Sequence, residues 1–127
     1  MKYVIVPPPV TLLDREGAPL KKPDGKQLPT VTLHSFLMDV PCSDPKIGQG
    51  AVGLRRINKL DKLFADAKPD AEVAVEDADH AVVQEILAGI TWNNLVLARQ
   101  QLCFLDAWEK ASEEKRPLKA VAEEASA

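Results

Sequence analysis

Cysteine and histidine are scarce in this 127-residue chain, with Cys42 and Cys103, His34 and His80 the only examples. Two cysteines behind a start that does not read as a secretory leader give no basis for a disulfide framework. The run 1–6 is too short for the apolar core of a signal peptide, and Pro7 to Pro9 end it. Both thiols are therefore expected to be reduced, with Cys103 a small core residue in an apolar helix. Neither histidine stands at metal-ligand spacing from a cysteine, a carboxylate or the other histidine. Aromatics make up 5% of the residues, and no run approaches the roughly 20 apolar positions that a membrane-crossing helix requires. The net charge of -3 carries no basic excess of the kind that nucleic-acid binding uses, so nucleic acid is not an expected partner and neither is a membrane.

What is present describes one folded unit. The chain is 46% hydrophobic and 28% charged, ordinary proportions for a globular protein of single-domain length. Eight of its 10 prolines fall in the first 45 residues, which makes the front third a poor place for long helices. Residues 1–66 carry 10 basic and 7 acidic side chains, and the remainder 6 and 12, so the front is +3 and the back -6. Such polarity favours contacts between unlike ends of two copies, or docking on a partner of opposite sign. Two basic groupings, Lys21, Lys22 and Lys26 in a turn-rich segment and Arg55, Arg56, Lys59 and Lys62 on a helix, read as solvated faces.

Local patterns predict a mainly helical α+β chain. It would have three to four helices, a small N-terminal hairpin or strand, and an extended proline-rich arm. Tyr3, Val4, Ile5 and Val6 form a β-branched run that stops at Pro7, Pro8 and Pro9, which impose an extended path and cannot donate ladder hydrogen bonds. Asp14 to Gly17 offers turn chemistry for a hairpin, and Pro23-Asp24-Gly25 marks an exposed loop. Thr32 is placed to cap a short helix burying Leu33, Phe36, Leu37 and Val40. A second helix is predicted over 53–67, with Leu54, Ile57, Leu60 and Phe64 inward. Glu72 to Glu76 alternates as a half-buried strand should. Asp77 can cap a helix through Val82, Val83, Ile86 and Leu87 that ends at Gly89. A last helix, capped by Asn93 and running from Asn94 to about Glu113, is apolar over a wide arc that includes Leu95, Ala98, Leu102, Leu105 and Trp108. Such a helix is either central to the core or shared between the core and a partner. The domain reading is an arm and hairpin over 1–29, one helical core over 30–113 and a flexible tail over 114–127.

The search for chemistry yields little. Glu76-Asp77-Ala78-Asp79-His80 is the densest acidic cluster, but it lacks the spacing of a calcium loop and fits a helix start, where acids meet the positive end of the dipole. Gly48, Gly50 and Gly53 spell GxGxxG without the preceding buried strand of a dinucleotide fold, so they read as a loop. Ser35, Ser43, Cys42 and Cys103 have no sequence signature pairing them with a base. No cofactor, metal or catalytic residue is therefore assigned. Partner-binding candidates are Tyr3, Val4, Ile5, Val6, Pro7, Pro8 and Pro9, which could add to a neighbour's sheet edge, and Trp92 at a helix link. The same run could instead pair with the protein's own Val73 to Val75.

The opening Met1-Lys2-Tyr3-Val4-Ile5-Val6-Pro7-Pro8-Pro9, the Asp14 to Gly17 turn and the acidic and aromatic C-terminal helices together resemble small accessory proteins encoded among the morphogenesis genes of tailed bacteriophages. The resemblance rests on overall style and carries over no functional residue. It implies a non-catalytic capsid, neck or tail accessory protein or an assembly chaperone. Such a protein would bind other protein subunits, its own copies among them, in the host cytoplasm during assembly or in the virion. Two other classes fit the residues: a small cytosolic adaptor or regulator, and a small enzyme using His80 and its neighbouring carboxylates.

Overall fold

The computed structural model describes residues 1–21, 24–25 and 30–114. The expected tail from residue 115 onward lies outside the described residues, as do Lys22, Pro23 and residues 26–29 of the expected loop. In chain order the elements are β1 (Lys2–Ile5), α1 (Leu33–Asp39), a 3-10 turn at Pro41–Ser43, α2 (Gly50–Ala65), β2 (Glu72–Val75), α3 (Asp77–Gly89), α4 (Leu95–Arg99) and α5 (Leu102–Glu109). The class is α+β and mainly helical, with five α-helices and one two-stranded antiparallel sheet among the described residues.

α1 begins at Thr32 because two side chains satisfy its first amides reciprocally. Thr32 Oγ1 accepts from the Ser35 N–H at 3.1 Å, and Ser35 Oγ accepts from the Thr32 N–H at 2.9 Å. Leu33, Phe36 and Leu37 then share one buried face. Val40 still bonds back to Phe36 O, but Pro41 has no N–H with which to carry the ladder on, and the helix ends there.

α2 starts three residues earlier than the pattern predicts, and its inward face is different. Leu54, expected inside, is 64% exposed, and Gly53 is the buried residue. The cause is a close backbone approach. A Cβ at Gly53 would lie 2.8 Å from the Gly48 carbonyl carbon and closer still to the Ile47 carbonyl oxygen. With the glycine turned to the loop, Ile57, Leu60 and Phe64 follow at helical spacing and Leu54 points outward.

β1 pairs with β2 in the register Lys2 to Val75, Tyr3 to Ala74, Val4 to Val73 and Ile5 to Glu72. The ladder continues as the Val6 N–H donates to Ala71 O at 2.9 Å and the Asp70 N–H donates to Val6 O at 2.7 Å. On the other edge, Tyr3 exchanges both backbone bonds with Ser112, at 2.8 and 3.2 Å. Of the two pairings open to this run, the structure therefore has the internal one. Val4 and Val6 sit in the same hydrophobic cluster as Val73, Val75 and the helices, so offering the run to a neighbour's sheet would take both side chains out of the core.

The hairpin turn forms where Asp14 can bond its own backbone. Its Oδ1 accepts from the Glu16 and Ala18 N–H groups at 2.9 and 3.0 Å, and Gly17 takes φ +84°. α3 is capped by Glu76 without a side-chain bond, so Asp77, expected as the cap, is instead its first residue. The C-terminal helix differs most from expectation. Asn94, not Asn93, caps α4 through its Oδ1 and the Leu97 N–H at 3.2 Å. The helix then breaks at Gln100-Gln101 and resumes as α5. Around the break the Gln101 and Phe104 amides bond three residues back, at 3.0 and 3.1 Å. Gln100 is engaged elsewhere: its Oε1 accepts from the Leu13 N–H at 2.7 Å and its Nε2 donates to Leu13 O at 2.8 Å, tying the hairpin to the helix.

The core is aromatic at its centre. Phe36 stacks on Phe104 with centroids 5.3 Å apart, and Phe64 meets Trp108 at 6.0 Å. Each such pair adds about 0.5–1.5 kcal/mol beyond its buried area. Phe104 and Trp108 are wholly buried and are the anchors through which α5 holds the molecule.

Candidate docking surface

The polar groups that could serve catalysis are engaged in joining elements. His80 is buried, and its Nε2–H donates to the Trp108 carbonyl at 2.7 Å, a tautomer assigned because a carbonyl can only accept. Trp108 Nε1–H returns a bond to His80 O at 3.2 Å, and the two rings stack at 4.9 Å. This reciprocal pair clamps α3 to α5. Asp79, 4% exposed, accepts from Arg56 Nε at 2.8 Å and lies 3.1 Å from Lys59 Nζ, which also reaches Glu76 at 3.1 Å. The bonds to Glu76 and then Asp79 hold the Lys59 ammonium above its ordinary pKa. His80 and its neighbouring carboxylates thus bind α3 to α5 on one side and to α2 on the other.

The remaining nucleophile candidates are likewise placed. Ser35 is spent in the capping box, and Ser43 Oγ contacts the carbonyls of Asp39 and Val40 at 2.7 and 3.0 Å. Burial, and secondarily the charge of Asp61, push the Cys42 thiol up to about 11. A reactive cysteine needs the opposite shift. The Cys103 thiol is raised too, chiefly by burial. His34 meets Asp61 through Nε2 and Oδ1 at 2.6 Å, linking α1 to α2 at the surface. Among the described residues no group of three or more His, Cys, Asp or Glu is placed to hold a metal ion. The GxGxxG glycines serve the helix start: Gly50 takes φ +67°, and Gly53 admits the Ile47-Gly48 backbone.

What stands out is apolar surface. α4 has no buried residue, and Leu95 on it is 64% exposed. Directly after the break, Leu102 is 50% exposed, and Leu13 on the hairpin 36%. A hollow of about 470 Å³ lies between hairpin and α4, lined by Arg15, Leu20, Asn94, Leu95 and Val96 among others. A second, of about 380 Å³, is lined by Val96, Arg99, Gln100 and Leu102. The Gln100–Leu13 bonds join the two parts into one face. The wide apolar arc is divided, with Phe104 and Trp108 buried and Leu95 and Leu102 exposed.

The residues singled out from sequence for partner binding lie at different depths. Val4 and Val6 are core, Tyr3 and Ile5 are half-buried in β1, and Pro7 is half-buried. Pro8 and Pro9 are exposed. Trp92 is half-buried and packs on the core. The sequence signal for Leu95 and Leu102 was their seven-residue spacing, which puts both on one helical face. Among the described residues no helix is long and apolar enough to cross a membrane. In comparisons with known proteins, no family model, no curated protein and no solved structure matches this chain.

Proposed function

We propose that the protein acts by protein–protein contact, as a non-catalytic component of a multi-chain assembly that docks through the face of α4, the first turn of α5 and the hairpin. The observation that carries this reading is the joint exposure of Leu95 on α4 and of Leu102 on α5, whose other side anchors the core. Burying the half to two-thirds of each leucine that is exposed gains about 1–2 kcal/mol, so the face is of most use covered. The engagement of His80 and Asp79 in structural bonds favours this over an enzyme built on those groups. The resemblance of the opening residues to tailed-phage accessory proteins extends the proposal to a virion or assembly component, made and used in the host cytoplasm.

The test is mild affinity purification of the tagged full chain from cells that produce it, with mass spectrometry of what accompanies it, for the wild type and for Leu102→Asp. Stoichiometric recovery of other subunits that is lost in the variant, with an unchanged circular dichroism spectrum, supports the reading. Recovery of a lone monomer from both refutes it.

A further inference from the structure

Between residues 95 and 109 only five residues are exposed: Leu95, Arg99, Leu102, Asp106 and Glu109. Their spacing of four, three, four and three is that of a heptad seam, carried by α4 as far as Arg99 and by α5 from Leu102. Arg99 and Asp106 carry opposite charges and flank Leu102 by three and four positions. Neither forms an ion pair with another described residue.

Resting on the docking role proposed above, we infer that the occupant of this face is a second copy of the chain, its α4–α5 segment laid antiparallel about a two-fold axis at Leu102-Cys103. The seam is self-complementary in that arrangement alone. The midpoint between Arg99 and Asp106 falls at Leu102-Cys103, so one two-fold operation sets Arg99 of each copy against Asp106 of the other and makes two ion pairs at once. A parallel arrangement in register sets Arg99 against Arg99. An antiparallel one centred a turn earlier, with Leu95 against Leu102, brings the two Arg99 side chains together at the axis. Both place like charges in contact. In the favoured arrangement Leu102 is central and Leu95 lies over the aliphatic stems of Glu109 and Lys110 from the other copy. The hollow bounded by Val96, Arg99, Gln100 and Leu102 is available to a side chain from the facing helix. The seam is short, so the dimer dissociates in the micromolar range.

Sedimentation equilibrium of the full chain tests this over a concentration series from low to high micromolar. The mass is expected to rise from 13.9 kDa toward twice that value, and Leu102→Asp to stay monomeric. Arg99→Asp and Asp106→Arg each turn two attractive pairs into two repulsive ones and weaken the dimer about tenfold, while the combined swap restores it to within about threefold of wild type. A double swap as weak as the single variants overturns the antiparallel pairing. A chain that is monomeric throughout, yet loses a co-purifying foreign subunit on Leu102→Asp, overturns the second copy as occupant and leaves the docking role standing.

Discussion

Replacing Gly53 with alanine opposes two effects whose sizes can be compared. Helix propensity favours alanine over glycine by about 1 kcal/mol at an interior position. The added methyl, however, would sit 2.8 Å from the Gly48 carbonyl carbon and 3.1 Å from its Cα, and nearer still to the Ile47 carbonyl oxygen. These are backbone atoms, and no rotamer change moves them aside. Relief requires the loop or α2 to shift, and Ile47, 1% exposed, must then leave its place in the core. Overpacking of this kind costs about 3 kcal/mol at the upper end of its usual range. The expected balance is a loss of about 2 kcal/mol, or about 8 °C in melting temperature for a chain of this length. Gly89→Ala is the internal control. It lies at the end of α3 with nothing within 4 Å of a new Cβ, so stability should stay level or rise by up to about 1 kcal/mol. Urea unfolding followed through the fluorescence of buried Trp108 reads both. A Gly53→Ala protein as stable as the wild type would refute the close approach and the account of why Leu54 faces out.

Three further outcomes follow from the packing. Val4→Ala should cost about 2 kcal/mol in urea unfolding, since it removes two methyl groups' worth of contact from a wholly buried site; a change under about 0.5 kcal/mol would place β1 outside the core. Arg56→Ala leaves Asp79 buried with Lys59 alone and should destabilise by about 2–3 kcal/mol, with Arg56→Ala/Asp79→Ala costing less than the sum of the single changes; additive losses would show that the pair is not coupled. The raised pKa of Cys42 means the fold favours its protonated thiol. That contribution is whole below the ordinary value of 9.0 and disappears as pH rises toward about 11. Cys42→Ala should accordingly flatten the decline in melting temperature over that window, and an unchanged pH profile would contradict the burial assigned to the thiol.

Elements set by neighbouring residues were legible in the sequence, and those set by distant contacts were not. Thr32 with Leu33, Phe36 and Leu37, the Asp14 turn, the alternation of β2 and the end of α3 at Gly89 all depend on bonds within a few positions. The inward face of α2 depends on a loop packed against Gly53, which helical periodicity alone does not register. The break at Gln100-Gln101 coincides with a bond to Leu13, 87 positions away, so periodicity ran the helix through it. The run Tyr3 to Val6 was readable as a strand, but strand pairing is chemically the same within a chain and between chains, and only the burial of Val4 and Val6 separates the two. His80 was visible at the end of an acidic cluster, and its role waited on Trp108, 28 positions later. For the docking face, composition showed an arc too wide for one buried side, and the tertiary fold decided that Leu95 and Leu102 are the ones left outside.

The central claim, that this protein works through the α4–α5 face, is tested most directly by comparing the same lesion at two exposed leucines. Leu54→Asp changes a leucine 64% exposed on α2, and Leu102→Asp one 50% exposed on the seam. Both variants are purified as tagged full chains from producing cells, and the subunits recovered with each, copies of the chain included, are quantified against wild type. The account predicts that Leu102→Asp loses its partners while Leu54→Asp keeps them, with both remaining folded. Loss of partners in Leu54→Asp with retention in Leu102→Asp would contradict it.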